Sequence, residues 1–592
     1  MVRLFTKPSK VVKVAEARAK EFLKDNRWVL TAGLISLVLV DTLQLFIPRV
    51  VKQAVDELTL LAASHRSLVR YAAVLLVMAL VIAVFRYVWR RCLIGASRTI
   101  ERDLRARLAG HLQTLDAAYF AATATGDLMA RVTNDINNIR MAVGLGLIAL
   151  IDAVFLGIAA IGFMAWINVE LTLYSLLPMP MIVILTRFFS RRMHKMYLAV
   201  QAAFSDMTET TRERFAGIRV IKAFDRKDTE AARFERISED YIRKNMALTR
   251  VTGTFFPMML LFTNMSIAIV LYLGGRQAIV AEITVGDFVA FISYLALLTW
   301  PMMAMGWVAN LMQRGRASLD RINQVLAAAP DIREAPDARP LVHPKGALSF
   351  RNVSFAYARG AAPVLSDISF DVAAGKTLCI VGPPGSGKTT LAGLMARLYD
   401  PDTGTVTIDG VDLRAVRLAD LRAAMSFMPQ EPFLFSGTIR ENIAFDDAVA
   451  DTDPKLAKAC RDAGLLETLQ FFSAGLDTIV GERGVILSDG QKQRVALARA
   501  LYHDAPVMIL DDPVSQVDTE TADHIIESLG SRAGGKTLVI ISHRLSLARL
   551  ADHVIVLEKG RVTGAGTHDQ LMATSDYYAR SWALQRLEEE AP

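Results

Sequence analysis

The sequence predicts an α-helical membrane domain of six spans with long intracellular helical extensions, followed by an α/β domain. Three observations support this fold class. The chain is 52% hydrophobic with a mean hydropathy of +0.31. Its long apolar stretches all lie in the first half, whereas short β-like runs alternate with helical stretches in the second half. Soluble chains are typically about 45–50% apolar even with glycine counted, so this composition indicates transmembrane segments. The alternation in the second half is typical of a mostly parallel sheet.

Six apolar stretches define the predicted spans, and each is near the ~20 residues needed to cross the hydrocarbon core. They are residues 28–50, 68–90, 140–166, 170–189, 253–274 and 284–309. The predicted transmembrane domain is therefore 28–325. Residues 1–27 form an amphipathic region before it, which we expect to lie along the membrane surface and to contact lipid.

The basic residues predict the orientation of the spans. Lys and Arg are concentrated in the connections after spans 2 and 4, whereas the segments after spans 1, 3 and 5 are short and poor in both. The positive-inside rule then places the two long connections and both termini in the cytoplasm. The net charge of +7 fits such basic loops. Nucleic-acid binding is the other interpretation of a basic chain, and the hydropathy argues against it.

The second half begins after a predicted linker at 326–346, which is rich in Pro and Ala and lacks periodicity. Hydropathy falls after the linker, and the α/β domain is predicted at 347–585 with a short tail at 586–592. The three cysteines are scattered, without the spacing of a metal or redox site.

The stretch GPPGSGKTT, 382–390, matches the phosphate-binding pattern G-x-x-x-x-G-K-[ST]. It lies between the apolar run TLCIV and a helical run, which is the strand–loop–helix context that the motif requires. Backbone N–H groups can surround a β-phosphate at the helix N-terminus. Lys388 would reach the β- and γ-phosphates, and the Thr389 hydroxyl would coordinate Mg²⁺. The predicted nucleotide contacts are Gly382, Pro383, Pro384, Gly385, Ser386, Gly387, Lys388, Thr389 and Thr390.

The stretch LSDGQKQR, 487–494, resembles the signature motif of ATP-binding cassette (ABC) ATPases, and further markers occur in the order of that family. The resemblance implies that Tyr357 stacks on the adenine of ATP, that Gln430 senses Mg²⁺ and the attacking water, and that His543 contacts the γ-phosphate. Taken singly, these residues could be a packing aromatic, a polar loop residue and a structural histidine. The resemblance also places Asp518 at the end of the D-loop and assigns nucleotide contacts across a dimer to Ser488, Gly490 and Gln491.

The membrane half resembles the same family independently. TGDLMARVTNDINNIR, 125–140, and FSDMTETTRERFAGIRVIKAF, 204–224, resemble the two intracellular loops of type IV ABC exporters. In that family each loop carries a coupling helix, which implies coupling loops here near 120–140 and 204–224. The region LLTWPMMAMGWVANLMQRGRASLDRI is similar to the multidrug-resistance-like half-transporters of the Mdl type.

The resemblance implies a complete transporter of twelve spans and two ATPase domains, of which this chain supplies half. A second half-transporter is therefore the expected partner. The expected location is the bacterial inner (cytoplasmic) membrane, with the ATPase domain in the cytoplasm. The expected activity is ATP-driven export of a small amphipathic substrate by alternating access.

The stretch ILDDPVSQVD, 509–518, departs from the family at one position. Asp511 follows a run of apolar residues, as a Mg²⁺-binding carboxylate at the end of a buried strand would. The next residue in the family is a glutamate that contacts the attacking water, and here it is Asp512. Aspartate is one methylene shorter than glutamate, so its carboxylate would lie about 1 Å farther from the attacking water. A misplacement of that size can lower the rate about 10²-fold, which is close to 3 kcal/mol of activation barrier. Because heterodimeric exporters often pair a competent site with a degenerate one, the resemblance implies slow hydrolysis here and a partner with Glu. Alternatively, a small backbone shift restores the distance.

Two more acidic residues stand out. Asp489 occupies the third signature position, where the family has Gly, and we expect its side chain to point away from the phosphates. Asp41 lies inside the first span, where ionisable groups are rare. It could contact a cationic substrate, face its counterpart in a dimer, or be a hydrogen-bonded or hydrated residue without a transport role.

The leading functional prediction is a subunit of an ATP-driven exporter of drugs, lipids or peptides. A lipid flippase or an exporter-fold importer retains all the same ATPase motifs. An ATP-gated regulator or channel is the alternative from a different class, in which Asp512 would keep nucleotide bound to hold one conformation.

Overall fold

The computed structural model describes residues 26–358, 360–445, 453–532 and 535–590. The chain divides into two compact units. The first contains the described residues up to Gln113 together with Thr125–Ala328, and the second contains Thr114–Ala124 and the described residues from Ala329 onward. The predicted amphipathic region at 1–27 lies outside the described residues except for its last two positions. The last two positions of the predicted tail also lie outside the described residues.

Within the described residues, six helices are long and apolar enough to cross a membrane, which confirms the six predicted spans. They run for 33 to 53 residues, well beyond the ~20 that a bilayer requires, so each predicted span is one part of a longer helix. Two short helices, α3 and α6, lie between them. In chain order the helices are α1 Arg27–Thr59, α2 His65–Leu112, α3 Ala117–Ala122, α4 Thr125–Ile167, α5 Val169–Ala216, α6 Ile218–Ala223, α7 Lys227–Ile279 and α8 Val285–Ala327.

Helices α4 and α8 approach closely and share an ion pair whose carboxylate is buried. A Cβ on Gly315 would lie 2.3 Å from the Cβ of Ala142, so only glycine allows this spacing. Nearby, the carboxylate of Asp135 is 4% exposed. It accepts hydrogen bonds from Ser318 Oγ at 2.8 Å and from Arg321 Nε at 2.8 Å. Because a buried charge is tolerated only when it is paired, this pair fixes how the two helices align.

Among its described residues, the second unit has ten strands in two sheets. The strands are β1 Leu348–Phe355, β2 Leu365–Val372, β3 Thr377–Val381, β4 Thr403–Ile408, β5 Val411–Asp412, β6 Met425–Met428, β7 Val507–Asp511, β8 Thr537–Ile541, β9 His553–Glu558 and β10 Arg561–Gly566. The smaller sheet has the order β2-β1-β4-β5 and is antiparallel. The larger sheet has the order β10-β9-β3-β8-β7-β6, and all its pairs are parallel except β10 with β9. This confirms the predicted α/β fold.

Strands β3, β7 and β8 form the centre of the larger sheet, and every residue in them is buried. Strands covered on both faces read as continuous apolar runs, which explains TLCIV, VMIL and LVII in the sequence. Besides α3, the helices of this unit are α9 Lys388–Met395, α10 Leu418–Ala423, α11 Ile439–Ala444, α12 Pro454–Asp462, α13 Leu466–Gln470, α14 Asp489–His503, α15 Thr519–Arg532, α16 His568–Thr574 and α17 Asp576–Glu590.

Residues 114–124 belong to the second unit although long helices of the first unit flank them in sequence. Asp116 connects them to the rest of that unit. One carboxylate oxygen accepts a hydrogen bond from the backbone N–H of Tyr119 at 3.1 Å and caps α3. The other accepts one from the backbone N–H of Asp331 at 2.6 Å. The second unit is therefore assembled from two separate stretches of chain.

Candidate nucleotide-binding site

The predicted site residues follow three neighbouring parallel strands. The P-loop begins after β3, Asp511 ends β7, and Ser542 follows β8. Asp511 pairs in register with Ile541 of β8. Because the strands are parallel, their carboxyl ends meet at one edge of the sheet, which is where α/β folds bind ligands.

The P-loop takes a backbone path that requires glycine. Gly387, which caps α9, has φ +101°, and a Cβ there would lie 2.7 Å from a Leu365 side-chain carbon. A Cβ on Gly382 would lie 2.1 Å from the carbonyl oxygen of Leu557. The Ser386 hydroxyl is buried and has no hydrogen-bond partner among the described residues. The loop is thus a close-packed backbone turn with an unsatisfied polar group, as a phosphate cradle requires.

The Lys388 ammonium is buried within this loop. It donates hydrogen bonds to the carbonyl oxygens of Gly382 at 2.9 Å and Pro383 at 3.0 Å. Burial lowers the pKa of Lys388, and the nearby Asp511 and Asp512 carboxylates oppose that shift. A cation therefore lies beside the N-terminus of α9, and both favour a bound phosphate.

The three predicted Mg²⁺ ligands lie together. The Thr389 hydroxyl lies 3.4 Å from Gln430 Oε1 and is near enough to Asp511 to influence the pKa of that carboxyl. Asp511 Oδ2 is buried, and the described residues offer it no hydrogen-bond donor. Burial and the neighbouring Asp512 raise the pKa of Asp511 to about 6, while Thr389 and Lys388 oppose the rise. Hydroxyl, amide and carboxylate oxygens suit Mg²⁺, so these residues fit the ion.

Asp512 is held in an unusual backbone conformation. Its φ is +57°, a left-handed geometry that Asp tolerates better than most residues. Its backbone N–H donates to the carbonyl oxygen of Ile541 at 2.8 Å. Its own carbonyl oxygen accepts from Gln493 Nε2 at 2.7 Å and Ser515 Oγ at 3.3 Å. The position of the Asp512 backbone is therefore fixed from both sides.

His543 lies on the adjacent loop, after β8. Desolvation lowers its pKa, the charge of Lys388 lowers it further, and Asp512 acts in the opposite direction. The hydroxyl of Ser542, one residue before it, lies 3.5 Å from Asp512 Oδ1. Lys388, Asp512 and His543 are therefore close enough to influence one another's charge, and the neutral imidazole is favoured.

Tyr357 follows β1 and lies beside the P-loop helix. Its hydroxyl is 2.8 Å from Thr390 Oγ1, and its ring contacts Phe355 and Tyr399 edge to face. The side chain remains 53% exposed. Packing fixes the ring orientation, and the exposed part is available for stacking, so adenine contact by Tyr357 stays a prediction.

The signature residues build the N-terminus of α14 and contact a different loop. Ser488 and Gln491 form a reciprocal capping box. A Cβ on Gly490 would lie 2.5 Å from the carbonyl oxygen of Gln516, so glycine is required there. The Asp489 carboxylate is 76% exposed and pairs with Lys492 at 3.1 Å. Asp489 thus faces solvent in this chain, and its direction relative to a nucleotide on another subunit stays a prediction.

Asp518 is engaged within its own chain. Its carboxylate accepts hydrogen bonds from the backbone N–H and the hydroxyl of Thr521, both at 2.9 Å. The backbone bond and the hydroxyl bond lower the pKa of Asp518. This carboxylate supports the start of α15, and the predicted nucleotide contact through Asp518 stays a prediction.

Gln493 is a supporting residue that the sequence reasoning did not single out. Its side chain is fully buried. It donates to the carbonyl oxygen of Asp512 and to Ser515 Oγ, and its Oε1 accepts from the backbone N–H of Gln516 at 2.8 Å. Gln493 therefore ties the signature helix to the loop after β7. The one feature of the sequence that could have indicated Gln493 was its place in LSDGQKQR, two residues after Gln491.

A P-loop with a Mg²⁺-type oxygen cluster, on an α/β domain joined to six membrane-crossing helices, defines an ATP-driven membrane transporter subunit. Comparison with protein families agrees: residues 30–302 match the family described as ABC transporter transmembrane region, and residues 365–515 match the family described as ABC transporter.

Relatives cover nearly the whole chain. The probable multidrug resistance ABC transporter ATP-binding/permease protein YheI of Bacillus subtilis is 34% identical over 94% of this chain and 95% of its own length. The multidrug resistance-like ATP-binding protein MdlA of Escherichia coli is 35% identical over 95% of each. The ATP-dependent lipid A-core flippase of Nitrosococcus oceani is 33% identical over 83% of this chain and 82% of its own.

A solved bacterial Atm1-family ABC exporter with ATP bound superimposes with a TM-score of 0.76 at 26% identity, covering 94% of this chain and 98% of that one. The chain belongs to the ABC transporter family and is a type IV exporter half-transporter. It is a multi-pass inner-membrane protein with a cytoplasmic ATPase domain, as predicted.

Proposed function

We propose that this chain is the slow-hydrolysing half of a heterodimeric exporter, in which its own site binds Mg-ATP and a partner site carries the rapid turnover. The observation that carries the proposal is that the backbone of Asp512, a residue with a shorter side chain than glutamate, is held in place by hydrogen bonds. Its amide and carbonyl are hydrogen-bonded to Ile541 and to Gln493 and Ser515.

The fixed backbone bears on the alternative in which Asp512 regains the reach of glutamate by moving. A movement of about 1 Å would stretch or break these hydrogen bonds, each of which contributes about 1 kcal/mol. The buried carbonyl of Asp512 would also lose its partner. The missing methylene is therefore not easily compensated, and we expect hydrolysis about 10²-fold below that of a site with glutamate.

The other groups of the site retain the features of ATP binding. Thr389, Gln430 and Asp511 would hold Mg²⁺, which supplies charge neutralisation to the phosphates when bound. Lys388 lies in the P-loop to pair with phosphate oxygens. His543 would act as a neutral hydrogen-bonding group beside Asp512. The site is thus equipped for binding, and the single departure affects the group that activates water.

A dimer is supported by surfaces that a single chain leaves open. The segment around α6 exposes four apolar side chains, Phe215, Ile218, Val220 and Phe224. Exposed apolar clusters of this kind mark interaction surfaces. In this proposal they dock on the nucleotide domain of the second half-transporter, and Ser488 and Gly490 complete that subunit's ATP site.

The substrate in this proposal is an amphipathic or hydrophobic compound. Two of the relatives are named for multidrug resistance and a third for lipid A-core flipping. A lipid has an apolar body, which a cavity within membrane helices can receive.

Purification alone and with a partner tests the proposal. The full-length chain purified by itself should hydrolyse ATP slowly. Co-purification with a half-transporter that has Glu after its own Mg²⁺-binding Asp should raise turnover about 10²-fold. The control is the same partner with that Glu changed to Gln, which should remove the gain. Rapid turnover by the chain alone would refute the heterodimer proposal.

A further inference from the structure

The loop at 542–545 carries His543 and begins at the end of β8. The larger sheet holds the start of this loop, because the backbone N–H of Ser542 donates to the carbonyl oxygen of Ile380 in β3 at 3.2 Å. Burial lowers the pKa of His543, and the charges of Lys388 and Asp512 also act on it, so the imidazole lies near both. The imidazole keeps that position only if the backbone beyond Ser542 is also held in place.

The last described helix, α17, holds the backbone beyond Ser542 through one side chain, Gln585. Its Nε2 donates a hydrogen bond to the carbonyl oxygen of His543 at 2.6 Å. Its Oε1 accepts one from the backbone N–H of Leu545 at 2.8 Å. A carboxamide supplies both the donor and the acceptor that these two backbone groups need. Gln585 thus binds the 542–545 loop at two points, one on either side of Arg544.

Helix α17 is anchored to the same sheet that carries the nucleotide site. Tyr578 of this helix is fully buried, and its hydroxyl lies 2.7 Å from His568 Nδ1 of α16. Tyr578 belongs to a cluster of buried residues that includes Val381 of β3 and Leu545 of the 542–545 loop. Gln585 lies about two helical turns after Tyr578, so both side chains are on the same face of α17. The anchored helix therefore fixes the position of the carboxamide.

We propose that Gln585 is a positioning residue for ATP hydrolysis, which acts through His543 by holding the 542–545 loop. With the carboxamide in place, the imidazole stays beside Lys388, where the γ-phosphate of a bound ATP would lie. Loss of the two hydrogen bonds would let the imidazole move away, and misplacement by about 1 Å can lower a rate about 10²-fold. The P-loop and the Mg²⁺ ligands hold ATP, so the affinity for ATP should not depend on Gln585. Gln585 would have this role whether the site hydrolyses ATP slowly or rapidly.

Two measurements on the full-length chain in lipid nanodiscs separate positioning from binding. They are single-turnover hydrolysis of ATP and titration with the fluorescent nucleotide TNP-ATP. Gln585→Met keeps the length of the side chain and removes both hydrogen bonds. The hydrolysis rate should fall about tenfold, since the sheet still holds Ser542 and limits the movement, while the affinity for TNP-ATP stays within about twofold of the parent. Gln585→Glu keeps the acceptor for Leu545 but sets an oxygen against the His543 carbonyl, so it should also lower the rate.

His543→Ala tests whether Gln585 acts through the imidazole. In that background there is no imidazole to position, so Gln585→Met should change the rate by less than about twofold. Leu584→Ala is the matched control, because Leu584 precedes Gln585 on α17 and is 63% exposed. It should leave the rate and the TNP-ATP affinity within about twofold of the parent.

An unchanged rate in Gln585→Met, an equal loss of TNP-ATP affinity, or an equal fall of the rate in the His543→Ala background would each overturn the proposal. All rates are compared with that of the parent chain. Rapid turnover by the parent would therefore count against the heterodimer proposal alone.

Discussion

Lengthening Asp512 by one methylene, in Asp512→Glu, should restore hydrolysis at this site. The backbone of residue 512 is held by hydrogen bonds to Ile541 and Gln493, so the added length should extend toward the attacking water rather than be absorbed by the loop. Recovering about 1 Å of reach corresponds to about 10²-fold in rate, or close to 3 kcal/mol of barrier.

The left-handed backbone at residue 512 makes the glutamate variant less stable, but it does not oppose the gain in hydrolysis rate. At the φ of +57° found at residue 512, the backbone conformation is about 1 kcal/mol less favourable for glutamate than for aspartate. That strain is present in both the ground state and the transition state, so it lowers the free energy of unfolding and leaves the barrier unchanged. The variant should therefore be faster and slightly less stable.

The assay is single-turnover ATP hydrolysis by the full-length chain purified alone, in which every site carries the same substitution. Asp512→Asn is the matched control: it preserves size and removes the carboxylate, so it should fall below the parent. If Asp512→Glu hydrolyses ATP no faster than the parent, side-chain reach does not limit the rate and the argument from geometry fails.

Three further predictions concern the remaining structure. Gly490→Ala places a methyl group 2.5 Å from the carbonyl oxygen of Gln516 and should cost about 1–3 kcal/mol of stability in thermal unfolding; an unchanged melting temperature would contradict the packing. Asp135→Asn removes the buried carboxylate that accepts from the half-exposed Arg321 and should cost about 1–3 kcal/mol by the same measurement; a loss no larger than that of an exposed control, Asp489→Asn, would refute it. Because the pKa of Asp511 is raised to about 6, Mg-ATP affinity should fall as the pH drops through 6 and the ligand carboxylate takes up a proton; constant affinity from pH 7.5 to 5.5 in titrations would contradict this.

The P-loop turn and the strand that ends at Asp511 were predictable because each is a contiguous motif. Residues 382–390 read as a P-loop since glycine spacing dictates one backbone path, and the apolar run before Asp511 dictated a buried strand. Gln493 was not predictable in the same way. Its role depends on a contact between α14 and the loop after β7, and no local pattern records which distant carbonyl a buried amide will meet.

The membrane half shows the same division between local and distant information. Hydropathy predicted where the chain meets lipid, at 253–274 for example, but the helix there runs over Lys227–Ile279. The backbone hydrogen bonds of a helix form in water as well as in lipid. Apolar composition therefore indicates which part of a helix crosses the bilayer, but not where the helix ends. Likewise Asp41 was visible in the sequence as an acid within the first span, whereas its place on the same cavity wall as Asp152 depends on the fold.

The presence of residues 114–124 in the second unit means that the two halves of this exporter are not separable modules in sequence. A nucleotide domain expressed from Ala329 onward would lack Asp116 and leave the backbone N–H of Asp331 without its carboxylate. Exchanging ATPase domains between relatives at the linker would likewise join a new domain to a foreign α3. Successful chimeras should therefore carry both stretches from the same parent, and natural divergence of the two stretches should be coupled for the same reason.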